Sequence, residues 1–287
     1  MALNLDAILV SGFHGNTDNI YGMLVLLSVY LLADRRQPLS SGLALAAAIN
    51  VKIIPLILIP PMLAIAADRR LGSPQAVRRS AARFVIGLAI GAIPLLLALA
   101  MVGKPFFSNA LAYTSDPNRW GIIYFTRVLR NVPHLHVIGT ALLVGYHAAG
   151  RFAVLAAAIV LAWLHYSRRP WDAYELISAT LVAWLVFAPG FGVQYTVALA
   201  PLLLAVSLRV GSLYGLISGL FLLLTYWTYR TSVWPARSEF EGMFPHRAAV
   251  AGIVLWIMLA WMLWSMVRKH LRREAVPASS AQLAPLT

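Results

Sequence analysis

The sequence contains no cysteine, which removes disulfides, thiolate catalysis and cysteine-ligated zinc from consideration. Charge is scarce as well. Only 11% of the 287 residues are charged, too few to cover the surface of a soluble protein of this length. The same composition excludes a secreted disulfide framework, a collagen-like repeat and a disordered chain. There is no GxxxxGK[ST], no GxGxxG after a strand and no sizeable soluble domain, so a cytosolic nucleotide-bound substrate has no recognisable seat. What the sequence has in abundance is apolar residues, at 60%. Lipid therefore solvates the chain, and the fold class is all-α: a polytopic integral membrane protein. Acids are outnumbered 10 to 23 by Lys and Arg, for a net charge of +13. Because the basic residues gather beside apolar runs, the excess is a sidedness signal, and no nucleic-acid partner is expected.

The basic runs are Arg35 and Arg36; Arg69, Arg70, Arg78, Arg79 and Arg83; Arg168 and Arg169; Arg209; and Arg268, Lys269, Arg272 and Arg273. Placing all of them in the cytoplasm requires an even number of crossings between successive runs. The apolar segments allow this: Ile20 to Leu32, two arms within Leu39 to Ala67, Ala82 to Val102, Phe152 to Tyr166, Tyr174 to Ala188, Tyr195 to Leu208, Leu213 to Tyr229 and Ala248 to Val267. The count is about nine transmembrane helices, some short or broken around an outer-facing cavity. The two arms meet at Val51-Lys52-Ile53-Ile54-Pro55, where a lysine and a helix-breaking proline coincide. Each arm rises only roughly 20 Å, so Lys52 sits in a cavity that dips into the bilayer rather than facing lipid. Residues 1–274 form the transmembrane domain, and 275–287, rich in Ala, Pro and Ser, read as a disordered cytoplasmic tail. Two histidines on the inner side, His165 and His270, are read as solvated.

Three outer segments mix polar, aromatic, Gly and Pro residues in a way lipid-facing helices do not. The first is Ser11 to Asn19. Here His14 and Asp18, four residues apart, share a helix face and suit a metal ion or proton exchange, while the plainer reading is a helix start capped by Asn16 or Thr17. The second is a long loop from Gly103 to Gly150, with Arg119, Trp120, Arg127 and Arg130. Its arginines suit a lipid phosphate, or equally the outer headgroups. The third, Pro189-Gly190-Phe191-Gly192-Val193-Gln194-Tyr195, is non-helical backbone at membrane depth. It is either a tight loop or the lining of a cavity. Lys52 is either a snorkelling lysine or a cation offered to an anionic substrate group.

Taken together, Gly12-Phe13-His14-Gly15-Asn16-Thr17-Asp18, Asp34-Arg35-Arg36, Ala48-Ile49-Asn50-Val51-Lys52-Ile53-Ile54-Pro55 and Gly190-Phe191-Gly192-Val193-Gln194-Tyr195 resemble the GT-C superfamily of membrane glycosyltransferases. The string is similar in particular to bacterial relatives of the GPI mannosyltransferase catalytic subunit and to polyprenol-phosphate-mannose-dependent mannosyltransferases. The resemblance implies transfer of a sugar, often mannose, from a polyprenyl-phosphate donor to a glycan, lipid or protein acceptor on the extracytoplasmic face of the inner membrane. It implies that Asn16 and Asp18 border the active site, that Lys52 helps hold the donor phosphate and that Gln194 and Tyr195 line the cavity; the outer segments themselves add His14, Arg119 and Trp120 as substrate-binding candidates and Asp18 as the candidate catalytic carboxylate. The family's usual catalytic loop lies upstream of the first motif, so missing N-terminal spans are expected. No cofactor is required by these residues, and a divalent metal stays open as an alternative. A lipid or solute transporter, and an inactive fragment of a glycosyltransferase, are the competing readings, since broken helices and a lysine at membrane depth also mark transport pathways.

Overall fold

The computed structural model describes residues 4–13, 15–106, 120–167, 171–231 and 246–274. Among these residues the chain is helical, with no strand. Helix α1 (Leu5–Ile8) runs into a π-helical turn, Leu9–Phe13, and is followed by α2 (Asp18–Ala33) and α3 (Pro38–Val51). A 3-10 turn, Ile54–Leu58, leads to α4 (Ile59–Ala66), then α5 (Pro74–Gly91), α6 (Ile93–Val102), the short α7 (Lys104–Phe106) and α8 (Gly121–Arg130). The long α9 (His136–Ser167) and α10 (Ala173–Phe187) precede a second 3-10 turn, Val193–Ala198. Helices α11 (Ala200–Val206), α12 (Leu208–Thr231) and α13 (His246–Glu274) complete the series.

Proline punctuates this order. It stands in the first turn of α3, α4, α5, α6 and α11, where its missing N–H costs nothing and its fixed φ starts the helix. Among the described residues, three segments are long and apolar enough to cross a membrane: Pro133–Ser167, Leu208–Trp227 and Ala248–Arg272. Helices α5 and α6 are together long and apolar enough for a fourth, a broken span or a re-entrant loop, bent by 43° at Ala92, two residues before Pro94. Shorter apolar helices, Asp18–Ala33, Pro38–Val51, Ile54–Ala66, Ala173–Phe187 and Val193–Val206, bring the apolar segments to the expected nine. The outer helices expose large apolar side chains such as Leu97, Val144, Phe152, Trp163, Leu216 and Trp261. A helical bundle presenting so many outward is built for a lipid solvent, and the chain is a multi-pass membrane protein.

Helix α10 is the hub. Every residue from Leu176 to Val186 is buried, which matches its lack of a polar face. Beside it, α2, α3 and α5 stack with their backbones close. A Cβ on Gly87 would lie 2.0 Å from the Leu39 carbonyl, and one on Gly42 would lie 2.2 Å from that of Phe84, so only glycine permits this approach. Helices α2 and α3 are tied by a reciprocal pair: the Ser28 hydroxyl donates to the Ser41 carbonyl and the Ser41 hydroxyl to the Ser28 carbonyl, each at 2.8 Å.

Three sequence expectations change. Of the loop expected from Gly103 to Gly150, residues 107–119 lie outside the described residues, and the described remainder is largely helix, since α8 and the first half of α9 lie within it. Gly139, Gly145 and Gly150 gave the segment its loop-like look, yet membrane helices tolerate glycine, and Gly139 is where α9 meets the backbone of Arg130. The crossing expected from Tyr195 to Leu208 is a 3-10 turn followed by the seven-residue α11, broken at Leu199 ahead of Pro201. His165 and His270 are buried rather than solvated. The Trp171 backbone N–H donates to His165 Nδ1 at 3.1 Å, and the His270 ring lies 4.6 Å from that of Trp171.

Candidate active site at three helix breaks

Three interruptions of the helical pattern meet at one place. The first is the start of α2. Gly15 takes a left-handed backbone, φ +64°, which turns the chain after the π-helical segment, and the Asn16 N–H donates to the Val10 carbonyl at 3.1 Å. The Asn16 side-chain oxygen then accepts from the Asp18 N–H at 3.2 Å, a turn across the N-cap Thr17 that sets the angle at which Asp18 enters α2.

The second interruption is the end of α3. Lys52 drops out of the helix into an extended conformation, φ −155° and ψ 140°, three residues before Pro55. This turns its side chain back toward α2, where its ammonium forms an ion pair with the Asp18 carboxylate. Next to it, Asn50 fastens α3 to α5 by donating to the Gly91 carbonyl at 2.7 Å.

The third is the 3-10 turn Val193–Ala198, which presents Tyr195. Its ring centroid lies 4.5 Å from the Lys52 ammonium, within cation–π range. The ring is held by Trp184, at 5.1 Å, and by Phe191, edge-on at 6.2 Å. Tyr21, on the same face of α2 as Asp18, places its ring 5.9 Å from the same ammonium.

The electrostatics of this cluster are asymmetric. Asp18 has no exposed side-chain surface, whereas Lys52 keeps 22% of its own. A buried carboxylate is tolerated because a cation is paired with it. That cation still has an open side, so the cluster, neutral as a pair, presents its ammonium end, walled by two aromatic rings, at a break in the helices.

The remaining sequence candidates divide. Gln194 is half-buried with its amide lying against Gly192, where an added Cβ would come within 2.7 Å of its nitrogen. Trp120 is buried; its indole N–H donates to the Leu185 carbonyl at 2.6 Å and its ring stacks on Phe191 at 3.8 Å. Trp120 therefore braces the Phe191–Tyr195 segment from behind. His14 and Arg119 lie outside the described residues, and among the described residues no group of three or more His, Cys, Asp or Glu is placed to hold a metal.

Sequence reasoning missed Tyr21 and Asp6. Tyr21 was within reach, because a residue three positions after Asp18 on a helix shares its face. Asp6 carried no local signal. It is fully buried, and its carboxylate accepts from the Thr196 hydroxyl at 3.1 Å and the Ser218 hydroxyl at 2.7 Å, contacts 190 and 212 residues away in the chain.

No curated protein and no solved structure matches the chain. The sequence profile described as "Glycosyltransferase family 87" matches residues 1–189, which include α2, the Lys52 break and the hub helix α10. With a multi-pass helical fold and a match over well more than half its length, the chain belongs to glycosyltransferase family 87, a family of membrane glycosyltransferases.

Proposed function

We propose that this chain transfers a hexose, mannose, from a polyprenyl-phosphate donor to a glycan, lipid or protein acceptor on the extracytoplasmic side of the inner membrane, within the GT-C superfamily. The observation that carries the proposal is the Lys52 ammonium, anchored by the buried Asp18 and open on one side between Tyr195 and Tyr21. Transfer breaks the bond between the sugar's anomeric carbon and the lipid phosphate, and negative charge builds on the departing phosphate oxygen. A cation fixed in a site of low dielectric stabilises that charge more in the transition state than in the bound donor, which is what accelerates the step. Tyr195 and Tyr21, both buried, confine the ammonium from two sides.

Asp18 has two roles in this proposal. Before the donor arrives it holds Lys52 in place. Once the phosphate draws the ammonium away and uncovers the buried carboxylate, Asp18 is the candidate base for the proton of the acceptor hydroxyl. Asn16 sets its orientation. Family membership favours transfer over transport, and a cation that sits among apolar helices rather than in a soluble nucleotide fold supports the reading of a lipid-linked donor. The test is to supply membranes containing the protein with radiolabelled polyprenyl-phosphate-mannose, or with labelled GDP-mannose under conditions that block its conversion to the lipid form. Label should reach an acceptor from the lipid donor alone; transfer from the nucleotide donor would overturn the reading.

A further inference from the structure

Behind the candidate site lies a second polar cluster with no share in the chemistry described so far. Asp6 accepts from Thr196 Oγ1 at 3.1 Å and from Ser218 Oγ at 2.7 Å, while the Tyr214 hydroxyl donates to the Thr196 carbonyl at 2.7 Å. All four residues are fully buried. Thr196 is thus held at both ends: its side chain by α1 and its carbonyl by α12. The Thr196 hydroxyl also reaches the Val193 carbonyl at 3.0 Å, and the Tyr195 N–H donates to the Gly192 carbonyl at 2.9 Å, so the fastening extends through the whole 3-10 turn.

A turn of this kind could be fastened at lower cost by apolar packing. A carboxylate among apolar helices is expensive unless hydrogen-bonded, and it is retained where position matters more than stability. The residue it fixes is next in the chain to Tyr195, whose ring lies over the Lys52 ammonium. We propose that Asp6 is a positioning residue: by clamping Thr196 to Ser218 of α12, it sets the Tyr195 ring over Lys52 and so tunes the capture of a lipid phosphate. This rests on the reading of Lys52 and Tyr195 as the donor-phosphate site. Asp6 touches no substrate in this scheme, and its effect passes through Tyr195 alone.

That restriction makes the inference testable by a double-mutant cycle. The probe is undecaprenyl phosphate, titrated into the detergent-solubilised full chain, with the melting temperature of each variant followed in parallel. Lys52→Ala and Tyr195→Leu first test the site, and each should weaken binding by about tenfold. Asp6→Leu, which removes both acceptors at similar volume, should weaken binding by about tenfold in the wild-type background and by less than about twofold in the Tyr195→Leu background. Asp6→Asn, which keeps one acceptor, should recover part of the loss. If Asp6→Leu does not fold, Thr196→Val takes its place in the cycle, with a loss of about threefold expected from removing the one hydroxyl proton that Asp6 and the Val193 carbonyl share. Losses that multiply in the double variant, or no loss from Asp6→Leu while Tyr195→Leu and Lys52→Ala both weaken binding, overturn the positioning role and leave the site intact. Unchanged affinity in Lys52→Ala and Tyr195→Leu overturns the site itself, and the inference with it.

Discussion

Replacing Lys52 by methionine separates the stability of the ion pair from its chemistry. Methionine keeps most of the length and apolar stem of lysine and removes the ammonium, which leaves the fully buried Asp18 carboxylate without its cation. Removing one member of a buried pair costs about 3–5 kcal/mol, because the remaining charge is stranded in a medium that solvates it poorly. Lys52 retains 22% exposure, so water reaches part of the vacated position and places the expected cost at the lower end, about 3 kcal/mol. In a chain of this size that corresponds to a fall in melting temperature of about 6–12 °C. Asp18→Asn on the Lys52→Met background removes the stranded charge, keeps the side chain's shape and should recover more than half of the loss. Thermal unfolding in detergent, followed by the fluorescence of the nine tryptophans, measures both. The reasoning fails if Lys52→Met melts with the wild type, or if the double variant melts no higher than the single.

Other perturbations test the scaffold around the site. Gly87→Ala should destabilise by about 1–3 kcal/mol or more in thermal unfolding, since its Cβ would fall 2.0 Å from the Leu39 carbonyl, whereas Gly145→Ala, with nothing within 4 Å, should leave the melting temperature within about 1 °C of wild type or raise it. Ser28→Ala or Ser41→Ala alone should cost about 1–2 kcal/mol by orphaning a buried partner, and the double alanine variant should melt higher than the sum of the two losses predicts. Trp120→Phe should lose about 1 kcal/mol with the bond to Leu185, keep the stack on Phe191 and leave undecaprenyl phosphate affinity within about twofold of wild type. A large loss of affinity there would move Trp120 from the scaffold into the site.

Much of the architecture was legible in the sequence because apolar runs, proline and charge act locally. The break at Lys52 and Pro55 was visible as a charge beside a helix breaker, and α3 ends there. The start of α2 was visible as a Gly-Asn-Thr-Asp string: Thr17 stands at the N-cap, and the Asn16 side chain just before it accepts from the Asp18 N–H. Helix α9 was underestimated because its glycines and histidines suggest a loop in water, while in a membrane the backbone's need for internal hydrogen bonds keeps such a segment helical. His165 and His270 were misplaced because nothing local shows that Trp171 lies between them. The meeting of Asp18, Lys52 and Tyr195 was legible only as three motifs in the right order; the contact depends on how α2, α3 and the 193–198 turn stack, which is a tertiary fact. Asp6 illustrates the limit, since its partners are distant in the chain and no periodicity points to them.

The central claim is that the Lys52 cation stabilises the phosphate leaving group. The measurement that tests it most directly is the turnover of polyprenyl-phosphate-mannose by the protein in membranes, wild type against Lys52→Ala, with folding of the variant confirmed by thermal unfolding. Loss of a fixed charge aimed at a developing oxyanion should lower kcat by about 10²–10³-fold. A folded Lys52→Ala protein that turns over the donor at the wild-type rate would contradict the claim.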